Sequence, residues 1–186
     1  METLESISKR CSLKDHLSDR PIEAEKIRKI MEAALLAPSA RNLQPWRFIV
    51  VQGKEAVDAV AESFFEFNQM VRTAPVILVA CARASDDVEH DGKPYYLFDV
   101  GLAVENMLLA ATDLGLVTHL MTAVDEMKMK AILHIPDDVR VVVATPLAYP
   151  LEATYEEAAA EKLSQRTRKP YKDVIYLNKW DETEPA

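Results

Sequence analysis

Glycine is scarce in this sequence. Only Gly53, Gly92, Gly101 and Gly115 occur, and no two are close enough for the G-x-G-x-x-G turn of a dinucleotide fold or for a phosphate loop. That argues against a Rossmann or Walker-type nucleotide site, so a bound phosphate must be held mainly by side chains. Cysteine is scarcer still: Cys11 and Cys81 lie far apart and outline no disulfide framework, which points to a reducing, cytoplasmic location. Positive charge is in short supply, with 22 Lys and Arg against 30 Asp and Glu for a net charge of −8. This balance disfavours nucleic acid or an anionic membrane surface as the main partner. No apolar run approaches the roughly 20 residues needed to span a bilayer, and "METLESISKRCSLK" lacks the apolar stretch of a secretory signal. His16, His90, His119 and His134 show no metal-ligand spacing, so no metal site is expected.

What is present is an ordinary globular composition, 49% apolar and 28% charged over 186 residues, enough for one domain with a sizeable core. "PIEAEKIRKIMEAALLA" carries Ile27, Ile30, Met31, Ala34 and Leu35 at helical spacing and ends at Pro38. Residues 48–51 read as a strand and "KEAVDAVAESFFEFNQMV" as one amphipathic helix, followed by the strand "PVILVACA". "SDDVEHDGKP" reads as a solvated loop. "YYLFDVGLAVENMLLAATDLGL" is helical and apolar almost all round, which predicts burial on most sides, with Gly115 as its stop. Two further strands, "VTHLM" and "VRVVVATPLAY", flank the short helix "EMKMKAIL". Met107, Met121, Met127 and Met129 are expected to pack in the core. Beyond Pro150 the chain turns acidic, then basic, then apolar at Ile175, Tyr176, Leu177 and Trp180. Such a tail is expected to lie across another surface. The sum is an α+β domain, residues 1–150, with a docked extension, residues 151–186.

Three stretches carry candidate chemistry. "KRCSLK" offers Arg10, Ser12 and Lys14, and "RTR" offers Arg166 and Arg168. In so acidic a chain, guanidinium and ammonium groups beside hydroxyls suit a phosphate, although such clusters taken singly are more often solvated faces with weak surface pairs. The third stretch is "APSARNLQPW", residues 37–46: a proline-braced polar loop between a helix and a strand, where a few residues would suffice. Its own alternative is local capping by Ser39 and Asn42, with Trp46 simply in the core.

Together with "APVILV", "GLAVENMLLAATDLGL" and "IPDDVRVVVATPLAYP", these stretches resemble the nitroreductase family of flavin-dependent oxidoreductases, in family order and over nearly the whole chain. The resemblance implies a mixed, mainly antiparallel sheet flanked by helices. It also implies an intertwined homodimer with two FMN sites at the interface and a C-terminal extension embracing the partner. Carried over by position, Arg10, Ser12 and Lys14 would contact the FMN phosphate and ring, with Cys11 contributing backbone. Arg166 and Arg168 would form the C-terminal phosphate pair. Pro38, Ser39 and Asn42 would reach the flavin of the other subunit, and Asn68 would face its pyrimidine edge. Thr122 and Ala123 stand where the family usually has a glycine-containing stretch near the flavin N5 and O4 edge, and Ala148 replaces a further glycine in "PLAYP".

The activity so implied is NAD(P)H oxidation with a nitroaromatic, a quinone or a similar small-molecule electron acceptor, the two substrates alternating over one ring face in a ping-pong hydride mechanism. The cofactor carries the hydride, so no catalytic side chain is nominated. The alternatives are a specialised flavin-fragmenting or reductive dehalogenating enzyme of the same fold, or a flavin-binding protein without turnover.

Overall fold

The structure, a computed structural model, describes residues 2–180; residues 181–186 of the expected extension lie outside the described residues. In chain order the elements are α1 (Thr3–Lys9), α2 (Ala24–Leu35), β1 (Trp46–Gln52), α3 (Lys54–Ala61), β2 (Val76–Arg83), β3 (Glu89–His90), β4 (Lys93–Pro94), α4 (Tyr96–Asp113), β5 (Val117–Thr118), α5 (Glu126–Leu133), β6 (Val139–Ala148) and α6 (Tyr155–Ser164). The main sheet runs β1-β2-β6-β5 with every neighbour antiparallel. A single parallel bridge, Ser12 to Thr118, makes it mixed.

The centre of the molecule follows from the all-apolar run of β2. Val76, Leu78, Ala80 and Ala82 point to one face and pack with α2 and α4, while Ile77, Val79 and Cys81 point to the other and pack with α3 and α5. A strand whose two alternating faces are both apolar must be covered on both sides, and layers of helices provide that cover. Burial also pushes the Cys81 thiol up to about 11, so it stays a packing residue. A third apolar cluster joins Cys11, Leu13 and Leu17 near the N-terminus to Tyr155, Ala158 and Ala159 of α6. This cluster brings the two ends of the chain together.

α4 ends as its sequence predicts. Gly115 adopts φ 74, its amide donates to the Thr112 carbonyl at 3.0 Å, and the Leu116 amide reaches back to Ala111 at 2.9 Å. That is a Schellman closure with Leu116 fully buried behind it.

The structure corrects or refines the sequence reading at five places. The helix expected across residues 54–71 breaks after Ala61, because the Ser63 hydroxyl donates to the Val60 carbonyl and the Ser63 carbonyl accepts the Asp125 amide at 2.7 Å; a 3-10 turn, Glu66–Thr73, continues the path. The loop "SDDVEHDGKP" contains the β3–β4 hairpin, whose Asp91 and Gly92 both adopt positive φ, the Asp-Gly signature of a tight hairpin turn. α4 is not buried all round: Leu97 and Phe98 are exposed on a flank that nothing in the described residues covers. Met127 is 70% exposed, unlike Met107, Met121 and Met129. The tail opens with a true helix, α6, where the Thr154 hydroxyl caps the Glu157 amide and the Glu157 carboxylate reaches back to the Ala153 amide.

Candidate functional site

The segment after α1 runs extended beside β5, with the Leu13 amide on the Thr118 carbonyl at 3.0 Å. Its residues alternate. Cys11 and Leu13 turn into the third core cluster, while Arg10, Ser12 and Lys14 turn outward. The helix α6 packs over the same cluster, and its Tyr155 hydroxyl accepts the Cys11 amide at 3.1 Å and donates to the Lys9 carbonyl at 3.3 Å. Beyond α6, the Arg166 guanidinium donates to the carbonyls of Ser8 and Arg10. Sequence positions more than 150 apart are thereby fastened edge to edge.

The result is a cleft of about 350 Å³ lined by Arg10, Cys11, Ser12, Lys14, Arg166 and Arg168, together with His119 and Lys162. All six residues nominated from the two basic motifs are in it. Among the described residues, no carboxylate lies within ion-pair reach of Lys14, Lys162, Arg166 or Arg168, and Arg10 has only Glu105 at 3.7 Å, half exposed. Four cations without an ion-pair partner among the described residues, in a chain of net charge −8, make a candidate anion site. His119 was not foreseen; a lone histidine after a short strand gives no signal in sequence. Its Nδ1 is buried with no hydrogen-bond partner among the described residues, and burial first, then the charge of Lys14 and least that of Lys162, push its imidazole below the ordinary histidine range, against an opposing pull from Asp15. Its surroundings in the protein thus favour the neutral ring.

A larger hollow, about 620 Å³, lies elsewhere and is lined by Asp19, Gln52, Lys54 and Arg72 among others. Its cations are already spent: Arg72 pairs with Glu62 and Asp58, and Lys54 with Asp58. Size alone does not make it the functional site.

The remaining nominated residues do not line the cleft of their own chain. Pro38, Ser39 and Asn42 sit in a separate exposed loop. There Arg41, Asn42 and Gln44 all hold left-handed φ near 50–60°, an arrangement that costs non-glycine residues about 1–3 kcal/mol each where it is strained. The Gln44 amide bonds the Ser39 hydroxyl at 2.9 Å, the Ala40 amide bonds Asp99 Oδ2 at 2.7 Å, and buried Pro45 and Trp46 anchor the exit. Asn68 is buried in the 3-10 turn, and Thr122 and Ala123 lie between β5 and α5 with Thr122 exposed. Just beyond them Glu126 locks α5 to β6: it accepts Arg140 Nε and Nη2 at 2.9 and 3.0 Å and the Val141 amide at 3.0 Å. Chiefly through Arg140, its carboxyl falls to about 2.

The sequence matches the Nitroreductase family profile over residues 7–69 and 65–149. A relative from Archaeoglobus fulgidus, provisionally named NADH dehydrogenase/NAD(P)H nitroreductase, is 40% identical over 185 residues, covering 96% of this chain and 99% of its own. The crystal structure of a nitroreductase family protein from Clostridium novyi NT superposes with a TM-score of 0.77 at 33% identity, covering 98% of this chain and 97% of that one. A solved oxidoreductase described as containing FMN superposes with a TM-score of 0.77 at 26% identity, covering 96% and 92%. On sequence and on fold alike, the chain belongs to the nitroreductase family.

Proposed function

We propose that the cleft between the two chain ends holds the phosphate of FMN, and that the protein is an NAD(P)H-dependent oxidoreductase acting on nitroaromatics, quinones or similar acceptors. The observation that carries this reading is the convergence of Lys14, Lys162, Arg166 and Arg168, without carboxylate partners among the described residues, on one cleft. A monophosphate suits such a set: guanidinium groups bind its oxygens in pairs, an ammonium adds a point charge, and the Ser12 hydroxyl supplies a neutral donor. The neutral ring of His119 adds a donor or acceptor without adding charge. Bound FMN supplies reversible hydride chemistry; the chain's own residues bind and orient. The names of the Archaeoglobus relative and of the FMN-containing structure support the same reading.

The working unit in this proposal is a homodimer in the cytoplasm. Pro38, Ser39 and Asn42 of one subunit face the cleft of the other, Asn68, Thr122 and Ala123 border the ring, and residues 151–186 dock on the partner. Exposed Leu97, Phe98, Tyr171, Ile175 and Trp180 support this arrangement, since burying such side chains contributes about 1.5–3 kcal/mol each before ordering costs. No helix among the described residues is long and apolar enough to cross a membrane. The test is the visible spectrum of the purified protein, chromatography of the released cofactor, and steady-state NAD(P)H oxidation with and without an added acceptor. FMN with acceptor-dependent turnover is expected. FAD alone, or no flavin binding by the apo-protein, overturns the reading, and bound FMN without turnover reduces it to a carrier.

A further inference from the structure

Two acidic side chains outside the cleft bear on the loop that stands apart from it. Asp99, in the first turn of α4, is 2% exposed, and its Oδ2 accepts the Ala40 amide at 2.7 Å. With Arg47 Nη1 on the Gln44 carbonyl at 3.1 Å, this is one of two side-chain ties that reach loop 38–44 from outside. Asp87 lies in the excursion between β2 and α4. Its Oδ1 accepts the Val88 amide at 2.7 Å, but its Oδ2 is buried with no donor.

The two carboxyls are neighbours by construction. The Tyr95 amide donates to the Val88 carbonyl at 3.1 Å and the Asp99 amide to the Tyr95 carbonyl at 3.0 Å. These bonds stitch the Asp87 segment to the turn that bears Asp99 and leave the side chains within hydrogen-bonding reach. Two carboxylates that close cannot both stay charged at low cost. Among the described residues no cation lies within ion-pair reach of either. Arg47 on β1 turns to Asp86 at 3.2 Å, Arg83 on β2 turns to Asp138 at 2.6 Å and to Asp86 at 3.8 Å, and Arg41 of the loop and Glu89, His90, Asp91 and Lys93 of the β3–β4 hairpin are exposed.

We propose that Asp87 and Asp99 share one proton, carried on Asp87 and donated to Asp99, and that this pair is the positioning device for loop 38–44. The proton gives the orphaned Asp87 oxygen its partner and leaves Asp99 free to accept the Ala40 amide. Burial, helped by the charge of Asp99 and opposed by the Val88 amide, pushes the Asp87 carboxyl above the ordinary aspartate range. The sign follows: a raised carboxyl stabilises the folded arrangement at low pH, and that contribution is lost as pH rises through the raised value. Past that point two neighbouring like charges, Asp99 buried and Asp87 half-buried, repel, and the hold on Ala40 loosens. The functional part of this inference rests on the flavin reading above; the shared proton does not.

The experiment uses the full-length protein with labelled aspartate carboxyls and backbone amides, followed by NMR against pH. The Asp87 resonance should titrate above the usual aspartate range, and Ala40 amide exchange should quicken beyond its intrinsic pH dependence over the same interval. Asp87→Asn keeps a donor without a titrating proton, so it should abolish that step and retain Ala40 protection. Asp99→Ala should speed Ala40 exchange by about tenfold to over a hundredfold, the worth of a charge-assisted hydrogen bond. If Asp99→Ala does not fold, Asp99→Asn, which keeps the acceptor and supplies a donor to Asp87, should remove the titration step alone. Ordinary titration of both aspartates, or loss of Ala40 protection in Asp87→Asn, overturns the proposal. FMN affinity of the apo-protein should weaken across the same step in wild type and stay flat in Asp87→Asn; a pH-independent wild-type affinity overturns the positioning role. If no variant binds FMN while the carboxyl step is present, the flavin reading fails and the shared proton stands.

Discussion

The basic cleft and loop 38–44 are built in opposite ways. The cleft is finished within one chain: apolar Cys11, Leu13, Tyr155, Ala158 and Ala159 are buried behind it, Arg166 bolts its two edges together, and its cations project from that wall. The loop shows its polar side chains to solvent, tolerates three left-handed non-glycine residues, and is held by one side-chain hydrogen bond at Ala40 and two at Gln44. A surface made by burying apolar groups keeps its shape alone. One held by a few bonds is specified only loosely until something docks against it. Under the proposed function, phosphate affinity would be a property of the cleft, while completion of the site would depend on the loop meeting a second subunit.

Removing residues 151–186 attacks the cleft at its foundation and should have the largest effect. It deletes Lys162, Arg166 and Arg168 and uncovers the cluster around Leu13. Flavin content should fall to background, and light scattering should show loss of the native dimer; a stable, yellow, monomeric product would falsify the cleft's place in the site.

Single-charge removal is next. Arg10→Ala and, separately, Arg168→Ala should weaken FMN binding about tenfold to over a hundredfold, as read by flavin titration of the apo-protein. Among the described residues Arg168 makes no tie except to its neighbouring Thr167 carbonyl, so its removal should leave the melting temperature nearly unchanged. Unchanged affinity in both variants would return these arginines to the solvated surface.

Subunit mixing sharpens the comparison directly. An Arg168→Ala protomer has a damaged cleft and an intact loop, and an Asn42→Ala protomer the reverse. If cleft and loop meet across a twofold axis, random mixing should restore about a quarter of the sites to wild-type affinity. Affinities that merely average the two parents would show that each chain completes its own site.

The smallest effect on flavin binding is expected from the scaffold behind Thr122 and Ala123. Glu126→Gln should lower stability by about 2–3 kcal/mol at neutral pH, since the native carboxyl lies at about 2 against an ordinary 4.5. A depressed carboxyl stabilises above its unfolded pKa, so the gap between wild type and variant should close as pH falls from about 4.5 to about 2. Thermal melts across that range would show it; a gap independent of pH would mean that packing, not charge, is lost.

Much of the cleft was legible in the sequence because Arg10, Ser12 and Lys14 sit at alternate positions around buried Leu13, and because two basic motifs stand out in an acidic chain. The all-apolar run of β2 and the placement of Gly115 were legible for similar local reasons. His119 and Lys162 were not, since each is an isolated residue whose meaning comes from what folds beside it. The break after Ala61 was hidden as well: apolar spacing continues through Phe64 and Phe65, and only the bonds of Ser63 to Val60 and Asp125 end the helix. The exposed flank of α4 misled in the other direction, because apolar residues on every side predict burial without saying what does the burying.

By itself, the sequence determined the class of the fold and the absence of a glycine-built nucleotide site, because alternation, helical period and glycine spacing are local properties of a chain. Only the tertiary structure decided that the N-terminal and C-terminal basic motifs share one cleft, that Arg166 secures it, and that the segment of Asp87 is stitched to the turn whose Asp99 holds loop 38–44. Those are distances between residues remote in sequence, set by how apolar clusters pack, and no local pattern encodes them.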